Sequence, residues 1–415
     1  MPSDGFTEYA RANAIRLDTI DPAAPLEDLE PLRALVGDAK IVAIGENNHH
    51  VREFYLVRHR ILRFLVERCG FDTLGFESGF AEGSAIDDWV RGGEGELTRL
   101  AKRNITFTLG EAEEMRALLT WMRETEHEVG FSGLDVPASA GSPRPALDAV
   151  AGYLGTVDPD AVTLVTAAIT ATELYSGPNS AVSSKLHKEL DPALRHAATA
   201  ALSRLLAHME SLRPAYVDRS STSDFAVAAH HVLGAWRLDQ YLQELSAMGD
   251  SPALFGLNSS RDSYMAASAK RLVDEGRRVV MAVHNGHLQR TPVSFGGPHV
   301  ALLPAGCQLA HTYGDDYVAI AVTGGEGHTV ALALDPEQPT GYRTYAAPLA
   351  PPEPGGVEAA MSGLELLDLR PARGKVEGPT SIRWATMQPE TDVLSGFDAV
   401  VHVPTTSTTD HVPGR

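Results

Sequence analysis

The sequence predicts an α/β fold in which a mainly parallel central sheet is flanked by helices, with an inserted helical subdomain beside a deep cleft. Short apolar runs alternate with helix-spaced segments in the first third of the chain, which is the pattern of parallel α/β units. Strand signals then vanish over a long stretch rich in Ala and Leu, and later return. We therefore divide the chain into a first part of the core (1–145), a helical insertion or lid (146–255) and a second part of the core (256–415).

The first part of the core is predicted as strands separated by helices. A short apolar run rich in branched side chains, such as residues 39–45, is typical of a buried strand. Apolar side chains at helical intervals indicate the helices, and Gly70 ends the one that follows this strand. The predicted strands are 39–45, 72–77 and 131–135, and the predicted helices are 26–36, 51–68, a segment ending near Trp89, and 111–128.

The second part of the core is predicted to return to strands after the insertion. Its strands are identified by the same short apolar runs. Residues 346–356, which hold four prolines and two glycines, are predicted to be a loop, and the Thr-rich tail after Val403 is expected to fray. The predicted strands here are 278–283, 317–322 and 397–403.

The composition of the chain indicates which partners and which location to expect. The 415 residues include 35 Lys plus Arg against 54 Asp plus Glu, for a net charge of −19. Such a chain repels phosphate backbones, so we expect no nucleic-acid partner, and no apolar run reaches the ~20 residues that span a membrane. Two distant cysteines and the lack of an apolar leader predict a cytoplasmic protein. The sequence leaves the oligomeric state open.

Acids and histidines follow three of the predicted strands. Glu46 and His49 come directly after the first strand, Glu77 ends the second, and His284 and His287 follow the strand at 278–283. Ligands of open parallel sheets bind outside the carboxyl ends of the strands. Any one of these residues alone is more often structural, but burying the whole set in one cleft is costly without a use. The set therefore predicts a catalytic site, which Asp135 at the end of the third strand could border.

The usual serine-esterase signature is missing. Esterases of the α/β-hydrolase class carry Gly-x-Ser-x-Gly at a strand-to-helix turn, whereas here Gly130-Phe-Ser132 is followed by Leu134 in place of the second glycine. Phosphate-binding glycine loops are also absent from the sequence. The sequence thus favours a water molecule activated by imidazole and carboxylate over a serine nucleophile.

A metal site is the main alternative. Three imidazoles and a carboxylate would suit a catalytic zinc ion, but His-Glu-x-x-His is absent, and spacing within a loop says little about ligand geometry. We expect no cofactor and rank a divalent metal second. The ligands of that alternative would be His49, His284, His287 and Glu46.

Three long motifs stand out, namely residues 45–54 (GENNHHVREF) with Arg58, residues 75–82 (GFESGFAE) and residues 284–292 (HNGHLQRTP). Together they resemble the erythromycin esterase family, most closely its type B branch. Shorter matches such as 133–137 and 314–317 occur in the expected order. The resemblance extends from about residue 20 to 400 and is weakest in the helical middle.

The resemblance implies an enzyme that opens the lactone ring of 14-membered macrolides by hydrolysis, without a metal. It implies that His49 is the general base. On physical grounds, Glu46 or Glu77 would hold the imidazole, and Arg58 or His284 could donate to the developing oxyanion. The catalytic residues it predicts are His49, Glu46, Glu77, His284, Arg58 and His287.

Two other functions remain open from the sequence. The same site could serve natural-product biosynthesis as a hydrolase, transesterase or lyase on another polyketide or peptide, since a base can also abstract a proton from carbon. A binding protein that keeps the pocket without catalysis is a further alternative. The complete set of six motif residues argues against the latter. In every case the partner is a small molecule.

Overall fold

The computed structural model describes residues 4–247, 259–294, 301–335, 337–338 and 341–412. Among these residues, nine strands form one sheet, in the order β1-β10-β11-β8-β2-β5-β3-β4, with β9 paired to β8. The strands of this sheet are β1 (Ile15–Arg16), β2 (Ile41–Ile44), β3 (Thr73–Gly79), β4 (Gly130–Asp135), β5 (Val279–Ala282), β8 (Tyr317–Leu334), β9 (Tyr342–Pro348), β10 (Glu365–Asp368) and β11 (Ala399–Thr406), and a separate pair consists of β6 (Val293–Ser294) and β7 (Ala301–Leu302).

Helices cover both faces of the sheet and fill the middle of the chain. Those of the core are α1 (Asp4–Asn13), α2 (Pro31–Val36), α3 (Arg52–Cys69), α4 (Phe80–Val90), α5 (Leu97–Asn104), α6 (Glu113–Glu124), α13 (Ser260–Asp274), α14 (Asn285–Leu288), α15 (Ala305–Tyr313) and α16 (Val393–Gly396). Those of the middle are α7 (Arg144–Val157), α8 (Val162–Thr172), α9 (Ser180–Glu189), α10 (Pro192–Ser211), α11 (Arg213–Arg219) and α12 (Thr222–Ala247).

The centre of the sheet is parallel and buried on both faces. The pairs that join β11, β8, β2, β5, β3 and β4 are all parallel, and every residue of β2 is buried. Alternate residues of a strand point to opposite faces, so Val42 and Ile44 pack into one hydrophobic cluster while Ile41 and Ala43 pack into another. Helices α3 and α6 cover the first cluster, and α13 and α15 cover the second. The predicted α/β class is confirmed.

The sequence of helix α3 explains where the helix begins, what it packs against and where it ends. It begins after Val51, buries Phe54 and Leu62 against the sheet, and ends at Gly70, whose φ of 73° is a left-handed conformation that glycine adopts without steric strain. The helix therefore starts a few residues beyond the carboxyl end of β2. This start brings its first turns next to the loop that holds Glu46 and His49.

The helices from 144 to 247 form their own apolar contacts and also contact the core. Leu147, Leu154, Leu202 and Val232 belong to one buried cluster of this region. A second cluster joins it to the core, because Phe80 of α4 and Tyr264 of α13 pack with Leu238 and its neighbours. Our division of the chain at 145 and 255 remains a prediction. Among the described residues, the structure has no helix that is both long and apolar enough to cross a membrane.

Two predicted irregular segments are ordered. The predicted loop at 346–356 is a loop from residue 349 onward, but its first three residues, Ala346, Ala347 and Pro348, belong to β9 and pair with β8, which runs on to Leu334. The tail after Val403 does not fray over its described part. Strand β11 continues to Thr406, and Thr409 is buried and donates its backbone N–H to the carbonyl of His50. In both segments, pairing with distant residues outweighs local composition.

The sequence does not predict helix α5. Its residues are mostly polar, and Ala101 is its one buried residue, so the apolar pattern was too short to indicate a helix. Glu96 caps its first turn by accepting hydrogen bonds from the backbone N–H groups of Thr98 and Arg99, both at 2.8 Å.

Candidate active site

Three neighbouring strands of the sheet bring the predicted residues together. Strands β2, β5 and β3 are adjacent and parallel, so the segments after β2 and β5 leave the sheet at the same edge where Glu77 of β3 lies. The backbone N–H of Asn285 donates to the carbonyl of Glu46 at 2.8 Å, which ties the two loops together. His49 and His284 consequently lie side by side, with ring centroids 5.9 Å apart.

His49 is held by a buried carboxylate. Its Nδ1 donates to Oε1 of Glu46 at 2.7 Å, which leaves Nε2 as the free acceptor of a neutral ring. That Nε2 lies 3.7 Å from Oε1 of Glu77. About 25% of the His49 side chain is exposed, whereas the two glutamates are buried. The arrangement suits a base, because the tautomer is fixed and the basic nitrogen remains accessible.

Arg58 supports the Glu46–His49 pair through its contact with Glu46. Its Nη1 lies 3.0 Å from Oε2 of Glu46, its Nε donates to the carbonyl of Gly45 at 2.9 Å, and its Nη2 donates to the carbonyl of Val283. The side chain is buried, with all three nitrogens used. Arg58 therefore holds Glu46 in place and does not face the exposed side of His49.

Glu77 lies at the centre of the cluster and contacts residues from three directions. Its Oε2 accepts from the backbone N–H of His284 at 2.7 Å. Its Oε1 lies 3.0 Å from Nη2 of Arg261 and 3.3 Å from Nε2 of His287. One carboxylate thus orients two cationic side chains beside the basic nitrogen of His49.

Arg261 and Asp262 are functional candidates that sequence reasoning missed. Arg261, in the first turn of α13, also contacts Asp135, with Nη2 2.6 Å from Oδ2 and Nε 2.9 Å from Oδ1. Asp262 accepts from Nδ1 of His287 at 2.8 Å. An Arg-Asp pair at the start of a helix after the insertion was the available signal, but nothing local relates that helix to the edge where Glu77 lies. Asp135 borders the site as predicted.

His284 is a supporting residue in this geometry. Its Nε2 donates to the carbonyl of Asn47 at 2.9 Å, and its Nδ1 accepts from the backbone N–H of Gly286 at 3.0 Å. Burial, together with the charge of His49, lowers the pKa of His284 to about 4, so the ring is neutral. Both nitrogens are engaged. The expectation that His284 or Arg58 donates to an oxyanion is therefore wrong for this arrangement, since neither has a free donor directed at His49.

The charges of neighbouring side chains determine the pKa values of His49, Glu77 and His287. Burial lowers the pKa of His49, but the carboxylates of Glu77 and Glu46 outweigh burial and raise it above 6.5. Burial raises the pKa of Glu77, yet the positive charges of His287 and His49 outweigh it and hold the pKa well below 4.5. For His287, the carboxylates of Asp262 and Glu77 overcome burial and raise the pKa to about 10. At neutral pH, Glu77 is an anion and His287 a cation.

A metal ion at this site would compete with existing hydrogen bonds and with neighbouring cations for its ligands. Within the described ranges, the one group of potential ligands is Glu46, His49 and Glu77, whose ligand atoms lie within 4.8 Å of one another. His49 and Glu46 already bind each other, and Glu77 faces the cations of Arg261 and His287, which would repel a divalent ion. Because both nitrogens of His284 are used, the four ligands of our sequence-based alternative are not available as one set.

Comparison with known proteins identifies the family of this chain. The sequence profile described as erythromycin esterase matches residues 66–406. The chain belongs to the erythromycin esterase family. It is similar to erythromycin esterase type II of Escherichia coli, with 29% identity over 98% of this chain and 99% of the relative. It is also similar to erythromycin esterase type I of Escherichia coli, with 30% identity over 77% of this chain and 79% of the relative.

Solved structures share the fold of this erythromycin esterase family member. A mutant of the erythromycin esterase EreC in its open conformation matches with a TM-score of 0.84 and 24% identity over 96% of this chain and 99% of that one. A succinoglycan biosynthesis protein matches with a TM-score of 0.75 and 20% identity over 98% and 97% of the two chains. The profile match and the two Escherichia coli relatives show that the chain is an enzyme of the ester hydrolase class, and the predicted family is confirmed.

Proposed function

We propose that this erythromycin esterase family member hydrolyses the lactone ester of a 14-membered, erythromycin-like macrolide, with His49 as the general base. The observation that carries the proposal is the imidazole of His49, whose Nδ1 is bound by buried Glu46 while Nε2 stays accessible. The full-length similarity to the type II enzyme supports the choice of substrate.

The first step is attack by water. A water molecule held between Nε2 of His49 and the lactone carbonyl carbon gives a proton to Nε2 as its oxygen bonds to that carbon. Glu46 accepts the hydrogen bond of the Nδ1–H throughout and, with Glu77, stabilises the imidazolium that forms. General-base action of this kind supplies roughly 10²–10⁴ in rate.

The second step is collapse of the tetrahedral intermediate. Arg261 and protonated His287 are the cations that lie beside Nε2 of His49, each within 3.3 Å of Oε1 of Glu77. We assign to Arg261 the hydrogen bond to the oxyanion, worth ~10²–10³ for a single donor, and to the charge of His287, whose two nitrogens face Asp262 and Glu77, a purely electrostatic stabilisation. The ring C–O bond then breaks, and the imidazolium of His49 returns its proton to the leaving alkoxide. The products are a carboxylic acid, which releases its proton to solvent at neutral pH, and an alcohol within one opened chain.

The proposed mechanism needs no metal. The protein's own cations supply the electrostatic stabilisation that a Lewis acid would provide. We further propose that the enzyme acts on macrolides in the cytoplasm, where ring opening would protect the cell from the antibiotic. Its partner is then a small molecule.

Oxygen-18 water tests the reaction directly. We expect the protein, after treatment with a chelator, to convert erythromycin to a product one water heavier, with one labelled oxygen in the new carboxylate, as measured by mass spectrometry. Elimination would give a product without the label and would favour a lyase. Activity that disappears with the chelator and returns with zinc would contradict the metal-free mechanism.

The pH dependence tests the base. Because His49 must be neutral, kcat/KM is expected to fall as the pH drops through a pKa above 6.5 and to fall again near pH 10, where His287 loses its proton. Glu46→Gln removes one of the two charges that raise the pKa of His49, so the acidic limb should move to lower pH. A limb that stays in place would argue against His49 as the titrating group.

A further inference from the structure

One aromatic side chain contacts both His49 and Arg261. The ring of Phe107, in the loop after α5, stacks on the imidazole of His49 with centroids 5.7 Å apart and planes 17° apart. Cζ of Arg261 lies 5.4 Å from the centroid of the same ring. Phe107 is half-buried, so it lines the accessible side of the cluster.

These two contacts restrain motions that the polar contacts leave free. A single hydrogen bond from Nδ1 to Glu46 fixes one atom of the imidazole but lets the ring tilt about that contact. A stacked aromatic face resists the tilt, and a guanidinium prefers to lie against an aromatic ring. Phe107 and Glu77 therefore hold the same two side chains, one through ring contacts and the other through charge.

The backbone under Phe107 is strained. Phe107 has a φ of 58° and Thr108 a φ of 59°, so two consecutive residues with side chains adopt the left-handed region. Such conformations persist only where the surrounding structure imposes them, and they concentrate at functional sites. Nothing in the identity of these two residues favours that conformation, so the fold holds it from outside.

Hydrogen bonds from separate segments hold this loop. Oγ of Ser78, the residue after Glu77, accepts from the backbone N–H of Thr106 at 3.0 Å, and Oγ of Ser139 donates to Oγ1 of Thr106 at 2.6 Å. The ring of His50, the residue after His49, hydrogen-bonds the backbone of Phe107 and lies 3.1 Å from Nε2 of His411. The loop is thus anchored to the residues that directly follow Glu77 and His49 in the sequence.

We propose that Phe107 is a positioning residue, whose ring holds the imidazole of His49 and the guanidinium of Arg261 in their reactive orientation, on a loop that the fold keeps strained for this purpose. The inference rests on the proposed function for its kinetic consequence. The contact itself is independent of the substrate.

Two glycine variants distinguish the effect of losing the aromatic ring from the effect of relieving the backbone strain. Phe107→Gly removes the ring and relieves the left-handed backbone, whereas Thr108→Gly relieves the same strain one residue later, at an exposed position, and keeps the ring. We expect Phe107→Gly to lower kcat for erythromycin about 10- to 100-fold with little change in KM, as expected for misplaced catalytic groups. Thr108→Gly should keep the wild-type kcat, and Phe107→Tyr, which retains a ring, should restore most of it.

A substrate-free measurement keeps this inference separate from the proposed function. Without the ring, His49 should react faster with diethyl pyrocarbonate, as followed by peptide mass spectrometry, while Thr108→Gly should react like the wild type. If the wild type leaves erythromycin intact, the proposed function fails and the modification rate still decides on Phe107. An unchanged modification rate, an unchanged kcat, or a loss confined to KM would overturn the inference.

Discussion

Replacement of His49 by asparagine is expected to lower kcat for macrolide hydrolysis by about 10²–10⁴-fold. Asparagine keeps a polar side chain next to Glu46 but has no group that can accept a proton from water near neutral pH. Arg58 still neutralises Glu46 in the variant, so the thermal unfolding temperature should remain close to that of the wild type. Steady-state kinetics together with a thermal scan measure both quantities.

A buried histidine away from the site provides the control. His59 packs against Trp121, with ring centroids 5.4 Å apart, and burial lowers its pKa to about 4. We expect His59→Asn to keep the wild-type kcat per folded molecule, even if its unfolding temperature falls. A His49→Asn enzyme that works as fast as His59→Asn would remove His49 from the mechanism.

Replacement of Arg58 by methionine is expected to destabilise the protein by about 3–5 kcal/mol and to lower kcat. The change leaves the buried charge of Glu46 without its cation and the carbonyls of Gly45 and Val283 without their donor. Since Glu46 holds His49, loss of this support should also disturb the base. Calorimetry and kinetics at a temperature where the variant is folded measure the two effects.

Arg60 on the same helix is a matched control for this prediction. It is as buried as Arg58 and pairs with Asp28, its Nη1 lying 2.9 Å from Oδ2, but it has no contact with the site. Arg60→Met should therefore lose stability to a similar extent and keep kcat. Equal kcat in the two methionine variants would show that Arg58 acts on stability alone.

Much of the site follows from local sequence because its residues adjoin strand ends. Glu46, His49 and Glu77 were expected to meet once their strands were assigned to one parallel sheet, and the adjacency of β2, β5 and β3 accounts for the meeting. His287 was in the predicted set as well, and it contacts Glu77. Their catalytic roles remain predictions.

The remaining features depend on tertiary contacts that no local pattern encodes. Arg261 reaches Glu77 from a helix that follows the insertion, and sequence spacing carries no information on that approach. Phe107 gives no sequence signal, because phenylalanine has no preference for a left-handed backbone. For His284, the residue was predicted but its hydrogen-bond partners were not. One is the carbonyl of Asn47 on a neighbouring loop, and the other is the backbone N–H of Gly286, which the His284 ring caps at the start of α14.

In the proposed mechanism the neutral imidazole of His49 activates the water. A titration of His49 itself, by NMR of histidine-labelled protein with the resonance assigned from His49→Asn, can be compared with the pH profile of kcat/KM. We expect the acidic limb of the profile and the titration of His49 to share one pKa above 6.5, and both to move down together in Glu46→Gln. A His49 that titrates away from the kinetic pKa, or that stays fixed while the limb moves, would rule it out as the base.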